Sequence, residues 1–270
     1  MIDCMNQITH QLKQYDMKQE TLFIAVATQK GGVGKTALTV LLSSYLHYVR
    51  GYNVAVVDCD YPQFSINGMR ERDKKMVTED PYYKNLFYKQ SKELNKKAYP
   101  IEVSRASDSL GIAKTMVEES QTPLDFVFFD LPGTINAKGV LTTLSQMDYV
   151  FTPITADRMV LESSLEYAAL INEQVITTGK GKIKALNLFW NLVDAREHGH
   201  LYDVYENVID ELGLQVMKTY LPDSKRFRHE ITTEHRPIFR STLMPIDNKL
   251  LQGSNIEEFV DEFLKIIKEG

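Results

Sequence analysis

The chain has 270 residues, 43% of them hydrophobic, and its 31 Lys and Arg against 36 Asp and Glu give a formal charge of -5. That is enough apolar material for one large α/β domain or two small ones, and no chain-wide basic signal points to nucleic acid, so any such contact must come from a local patch. Two distant cysteines, Cys4 and Cys59, form no CxxC pair, which argues against a disulfide framework, a zinc site or an iron–sulfur cluster and fits a reduced, cytoplasmic setting.

Residues 1–20 mix acids and amides without the basic start and apolar centre of a signal peptide, and read as a helical extension. From Thr21 onward short apolar runs alternate with helical stretches, the pattern of βαβ units in one domain with a parallel sheet. Buried strands are expected at 22–28, 53–58, 124–130, 149–154, 183–193 and 215–220, each too apolar to be covered on one side only. The first helix is expected over 37–50, where Leu38, Leu41, Leu42, Tyr45 and Leu46 recur at helical spacing, with Gly51 as its C-cap. Residues 69–97 interrupt the rhythm with alternating charges and several tyrosines. This insertion reads as a solvated helical face, with a partner-binding surface as the alternative. Near the end, Ile256, Phe259, Val260, Phe263, Leu264 and Ile267 form an apolar stripe with acidic flanks, read as a last helix on the core rather than a lipid-binding helix. No apolar run approaches the roughly 20 residues that span a bilayer, so no membrane partner is expected.

The chemistry concentrates in Gln29-Lys30-Gly31-Gly32-Val33-Gly34-Lys35-Thr36, between the first strand and the first helix. Glycines let successive backbone N–H groups turn toward a polyanion, a lysine neutralises it, and a hydroxyl serves Mg²⁺. Gly31, Gly32 and Gly34 are placed for the turn, Lys35 for the β- and γ-phosphates of ATP, Thr36 for the metal, and Val33 and Ala37 for backbone contacts. The strict phosphate-loop pattern would put its first glycine at Gln29; the chain instead carries an additional lysine, Lys30.

Lys30-Gly-Gly-Val-Gly-Lys-Thr36 resembles the deviant Walker A motif of the ParA/MinD family of P-loop ATPases. The resemblance runs over nearly the whole chain from Thr21. It implies an α/β, three-layer P-loop NTPase fold with a mostly parallel central sheet flanked by helices, ATP and Mg²⁺ as ligands, and a homodimer when ATP is bound. In that dimer Lys30 would act in trans on the partner's nucleotide. Val56-Val57-Asp58-Cys59-Asp60 followed by Pro62-Gln63 is similar to the family's Asp-x-Asp-Pro-Gln segment, which makes Asp60 the residue expected to orient the attacking water and Asp58 a neighbour of the metal shell. Tyr61 is an insertion relative to that segment. Asp130, at the end of an apolar strand, matches the metal-holding Walker B aspartate, and Gly133 follows where the family has a switch loop. Thr152-Pro153-Ile154 with Asp157 resembles the next strand end, with a structural role.

Asn191, Pro222 and Asp223 resemble the family's adenine-holding segments, although Asn191 could instead cap a loop and Asp223 a helix beginning near Ser224. Lys225, Arg226, Arg228, Arg236 and Arg240 form the densest basic stretch and lie where ParA-type proteins contact DNA. Nonspecific DNA binding and an ordinary charged surface are both open readings. The finer likeness is to ParA-like TraA proteins of conjugative transposons, which implies segregation, partition or conjugative transfer, with a stimulating partner protein. A nucleotide-switched regulator that binds only protein, or an ATP-dependent ligase on the same fold, would share the phosphate loop.

Overall fold

The computed structural model describes residues 20–135, 137–194 and 200–270; the expected N-terminal extension lies outside the described residues. Strand β1 (Leu22–Val26) runs into the phosphate loop and then helix α1 (Lys35–Ser44), which continues as a π-helical turn at Tyr45–Val49. Gly51, at φ 80, ends it, and Tyr52 N reaches back to Leu46 O at 3.0 Å. That is the expected glycine C-cap, since a left-handed residue there costs least without a Cβ. Strand β2 (Val54–Asp58) follows, then helices α2 (Ser65–Glu79) and α3 (Pro81–Leu94). The charged insertion is therefore helical. α3 starts with Pro81 in its first turn and an Asp80 side chain that accepts from Tyr82 N at 2.9 Å.

A three-residue strand, β3 (Ile101–Val103), precedes α4 (Ser109–Glu119), β4 (Phe126–Asp130), α5 (Val140–Leu144), β5 (Tyr149–Ile154) and α6 (Arg158–Ile171). Asp157 caps α6 through Val160 N at 3.0 Å, the structural role expected of it. The chain continues through β6 (Ala185–Trp190), α7 (His200–Glu211), β7 (Gln215–Val216), a 3₁₀ turn at Lys225–Arg228, α8 (Asn248–Leu251) and α9 (Ile256–Glu269).

The seven strands form one sheet in the order β3-β2-β4-β1-β5-β6-β7, every pairing parallel. β2 and β4 are buried at all five positions, as expected of strands covered on both faces. Alternate residues serve opposite layers. Ile24, Val26, Phe126 and Phe128 pack with Leu38, Leu41 and Leu42 of α1 and with Phe259 and Phe263 of α9. Ala25, Val57, Val127 and Phe129 pack with Ala113, Leu161 and Leu165 on the other face. The stripe on α9 is thus core, with the Phe263 ring tilted against that of Phe151 at a centroid distance of 4.7 Å. No helix among the described residues is long and apolar enough to cross a membrane.

The sheet departs from expectation at β6, six residues long where 183–193 was expected, and more sharply in two further places. β7 is two residues long rather than six, because Lys218 N and Thr219 N leave the ladder to donate to the Glu262 carboxylate of α9 at 2.7 and 2.8 Å. β3 was not expected: three residues at a sheet edge, with Val103 42% exposed, carry no apolar pattern to detect.

Candidate functional site

The carboxyl ends of β1, β2 and β4 converge on the phosphate loop. Gly32 and Gly34 take φ of 80° and 90°, and nothing would meet a Cβ at Gly31 or Gly32 within 4 Å, so that side of the loop is open. Underneath, the loop is braced. Asn191 Nδ2 donates to Val33 O at 2.9 Å, and a Cβ on Gly34 would stand 3.0 Å from that same nitrogen. Only glycine suits position 34, on backbone angle and on space alike. Lys35 Nζ folds back to donate to Lys30 O at 2.8 Å, and a Cβ on Gly133 would come within 3.1 Å of it. Burial lowers the Lys35 pKa, an effect opposed by the charges of Asp130 and Asp60.

Thr36 Oγ1 donates to Asp130 Oδ2 at 2.8 Å. Asp130 has no solvent exposure, and its Oδ1 has no hydrogen-bond partner among the described residues. Burial pushes its pKa up to about 7, with Asp58 and Asp60 adding to the shift and the Thr36 bond opposing it. A buried carboxylate oxygen without a partner, beside a threonine hydroxyl, is a hard oxygen pair of the kind Mg²⁺ takes, and the residues fit that ion.

Asp58 is also fully buried, but its Oδ2 accepts from Ile66 N and Asn67 N at 3.0 and 2.9 Å. It supplies the cap that α2 lacks locally, because Phe64 at the N-cap position, with φ 42, has no acceptor to offer. Burial raises its pKa against the pull of those backbone donors. Asp60 lies half-buried in a groove of about 800 Å³ that also takes in Gly31, Gly32, Gly34, Lys35, Thr36, Ala37, Gln63, Ser65, Gly68, Arg72, Gly133, Glu230 and Arg240. The inserted Tyr61 is 51% exposed beneath the Arg105 guanidinium, 4.5 Å from its ring centroid.

The expected base-holding segments run side by side past the end of β6, where Leu221 N donates to Trp190 O at 2.9 Å. Val193 bridges to Pro222, and Asp223 N donates to Val193 O at 2.9 Å. Asn191 is drawn to the loop carbonyl instead of capping its own turn. Asp223 caps no helix: the following 3₁₀ turn has Ser224 at its N-cap and no side-chain cap bond.

The basic stretch is divided. Arg226 is spent inside the fold, donating to Leu250 O, Gln252 O and Ser224 Oγ. Arg240 pairs with Glu230 in the groove beside the glycine loop, and Arg236 with Glu234 at the surface. Lys225, Arg228 and Arg236 are exposed. Sequence reasoning missed Arg72 and Glu230 as groove residues. Each looked like one more charge in a charged segment, and only folding brings α2 against residues 230–240.

Among curated proteins, none matches the sequence. Solved structures share the fold at low identity. They include MinD cell division protein from Aquifex aeolicus (17% identity, 93% of this chain and 98% of that one, TM-score 0.56). A Borrelia burgdorferi B31 protein assigned to plasmid partition and bound to AMPPNP is similar too (16% identity, 91% and 99%, TM-score 0.57), as is a ParA family ATPase from Chlorobium tepidum TLS (13% identity, 90% and 98%, TM-score 0.52). The profile of the CobQ/CobB/MinD/ParA nucleotide binding domain matches residues 24–238, and with a phosphate loop, a buried strand-end aspartate and an all-parallel sheet in the same span, the chain belongs to that family.

Proposed function

We propose that this protein is an ATP-driven dimeric switch of the ParA type, acting in segregation, partition or conjugative transfer of a mobile DNA element. The observation that carries the nucleotide reading is the Thr36–Asp130 pair, with its unpartnered buried Oδ1, at the foot of an open glycine loop. Loop N–H groups from Gly31 to Ala37 and the Lys35 ammonium hold the phosphates. Mg²⁺, when bound by Thr36 and Asp130, neutralises charge on the phosphate oxygens. Asp60 orients the attacking water; the bond from the terminal phosphorus to its bridging oxygen breaks, leaving ADP and phosphate. Asn191, Pro222 and Asp223 flank the base. Lys30 reaches the nucleotide of a second copy, so that ATP favours the dimer by its extra affinity for that state. A partner protein stimulates the slow hydrolysis that resets it.

The output we propose is nonspecific DNA binding through Lys225, Arg228 and Arg236. A second reading, output through a protein partner alone, draws on the internal engagement of Arg226 and the groove position of Arg240, which thin the basic patch. Binding of the Asp60→Ala chain to duplex DNA with ATP and with ADP across a salt series separates them. ATP-only binding with a log–log salt slope of about -2 to -3 per protomer, at roughly 0.9 per phosphate contact, supports the DNA switch. Absence of binding with both nucleotides sinks it in favour of the protein-partner reading.

A further inference from the structure

The groove extends past the phosphate loop onto a wall that the nucleotide site described above leaves unused. In the sheet order, β6 and β7 lie to one side of β1, with Asn191 directly after β6 and Pro222 and Asp223 bridged to the chain just past it, and β2 and β4 with Asp60, Asp130 and Gly133 lie to the other. A nucleotide whose base sits on the first side extends its terminal phosphate toward the second. There the groove is walled by Gln63, Ser65, Gly68, Arg72, Glu230 and Arg240.

Arg240 donates Nε and Nη2 to Glu230 Oε1 at 3.0 and 2.6 Å, while Arg72 Nη2 stands 3.8 Å from Glu230 Oε2. Two guanidinium groups thus share one carboxylate, and one positive charge is left over. The side chains of Arg240 and Glu230 are 20% and 26% exposed; Arg72 is 64% exposed and, among the described residues, its one ion pair is the long contact to Glu230.

This cluster is built on a buried polar lock. Asp73 of α2 accepts from Thr242 N at 2.7 Å, Thr242 Oγ1 at 2.8 Å and Ser241 Oγ at 3.0 Å. Arg70, one turn earlier, donates to Tyr99 O, Thr242 O and Thr242 Oγ1. All of these side chains are buried. The lock fixes α2 against residues 241–242, so the flanking Arg72 and Arg240 meet at Glu230 by construction. Gly68 leaves space beneath: Arg72 Nη1 lies 3.7 Å from where a Cβ at Gly68 would sit.

We propose that Arg72 binds the terminal phosphate of ATP in this groove, with Glu230 and Arg240 as its positioning residues, so that the cluster separates ATP from ADP. The proposal rests on the reading of the groove as an ATP site. A guanidinium fork suits phosphate oxygens better than one long contact to a shared carboxylate. Arg240 keeps its two bonds to Glu230, so the cluster loses no buried pair when Arg72 turns to the nucleotide. ADP, one phosphoryl group shorter, stops before this wall.

The test is calorimetric binding of AMPPNP and of ADP, each with Mg²⁺, at a protein concentration where sedimentation finds monomer. Arg72→Ala, an exposed change on a helix surface, is expected to weaken AMPPNP about tenfold while ADP moves by less than about twofold. Arg240→Ala is expected to shift the AMPPNP-to-ADP affinity ratio in the same direction, and Arg240→Lys to recover part of it. An unchanged ratio in Arg72→Ala overturns the proposal, whether both affinities fall or neither does. A loss confined to concentrations at which the chain dimerises also overturns it, by assigning Arg72 to a contact between copies. If the unaltered chain binds neither nucleotide, the ATP reading itself falls, and this proposal with it.

Discussion

Asp130 concentrates the site's electrostatics in one side chain. Its pKa of about 7, against an ordinary 3.8, means that the folded chain holds a proton that the unfolded chain releases between those values. Each step up in pH through that window therefore favours the unfolded state. The nucleotide-free protein should lose stability from about pH 4 to pH 7, by a few kcal/mol at most from this group, and change little from it above pH 7. Asp130→Asn should flatten that slope, measured as urea midpoints at pH 5 and pH 8, while losing Mg²⁺-dependent nucleotide binding; an equally steep slope in the variant would show that Asp130 is not its source. Asn191 is the second telling residue. Its amide is the partner seen for the buried Val33 carbonyl, so Asn191→Ala should cost about 1–3 kcal/mol and loosen nucleotide binding through the loop. A variant as stable as the parent in chemical denaturation would contradict the bracing role.

At the scale of elements, the strands most legible in the sequence were the fully buried ones. In β2, β4 and β5 every residue is covered, so each apolar run in the chain maps directly onto a strand. Legibility fell where tertiary bonds set the boundary, as where Glu262 draws residues 218 and 219 out of β7. The glycine loop stood out in the sequence because its residues are contiguous, Asp130 because it ends β4, and Asp60 because it follows the end of β2 by two residues. The far wall of the groove was not, since Arg72 and Glu230 are 158 positions apart in sequence and meet only through the Asp73–Thr242 lock. The apolar stripe on α9 was legible by its spacing alone, and its packing makes a prediction. Phe263 meets Phe126, Phe128 and Phe151 at ring separations of 6.2, 6.2 and 4.7 Å with no solvent exposure. Phe263→Ala should cost about 3–5 kcal/mol and be visible as a lowered thermal midpoint, whereas a loss under about 1 kcal/mol would mean that α9 is peripheral.

For the whole molecule, the acidic balance and the divided basic stretch leave little room for DNA binding by a single copy. Two copies held together would double the exposed Lys225, Arg228 and Arg236, and because each phosphate contact adds to the salt slope, affinity would rise steeply with dimerisation. The account therefore turns on nucleotide-gated assembly, in which Lys30 links the two sites. The most direct test is sedimentation of the Asp60→Ala chain with Mg²⁺ and either ATP or ADP, alone and combined with Lys30→Ala. The predicted result is dimer with ATP, monomer with ADP, and monomer with ATP once Lys30 is replaced, although ATP still binds. A chain that remains monomeric with ATP bound, or that dimerises equally well without Lys30, would contradict the account.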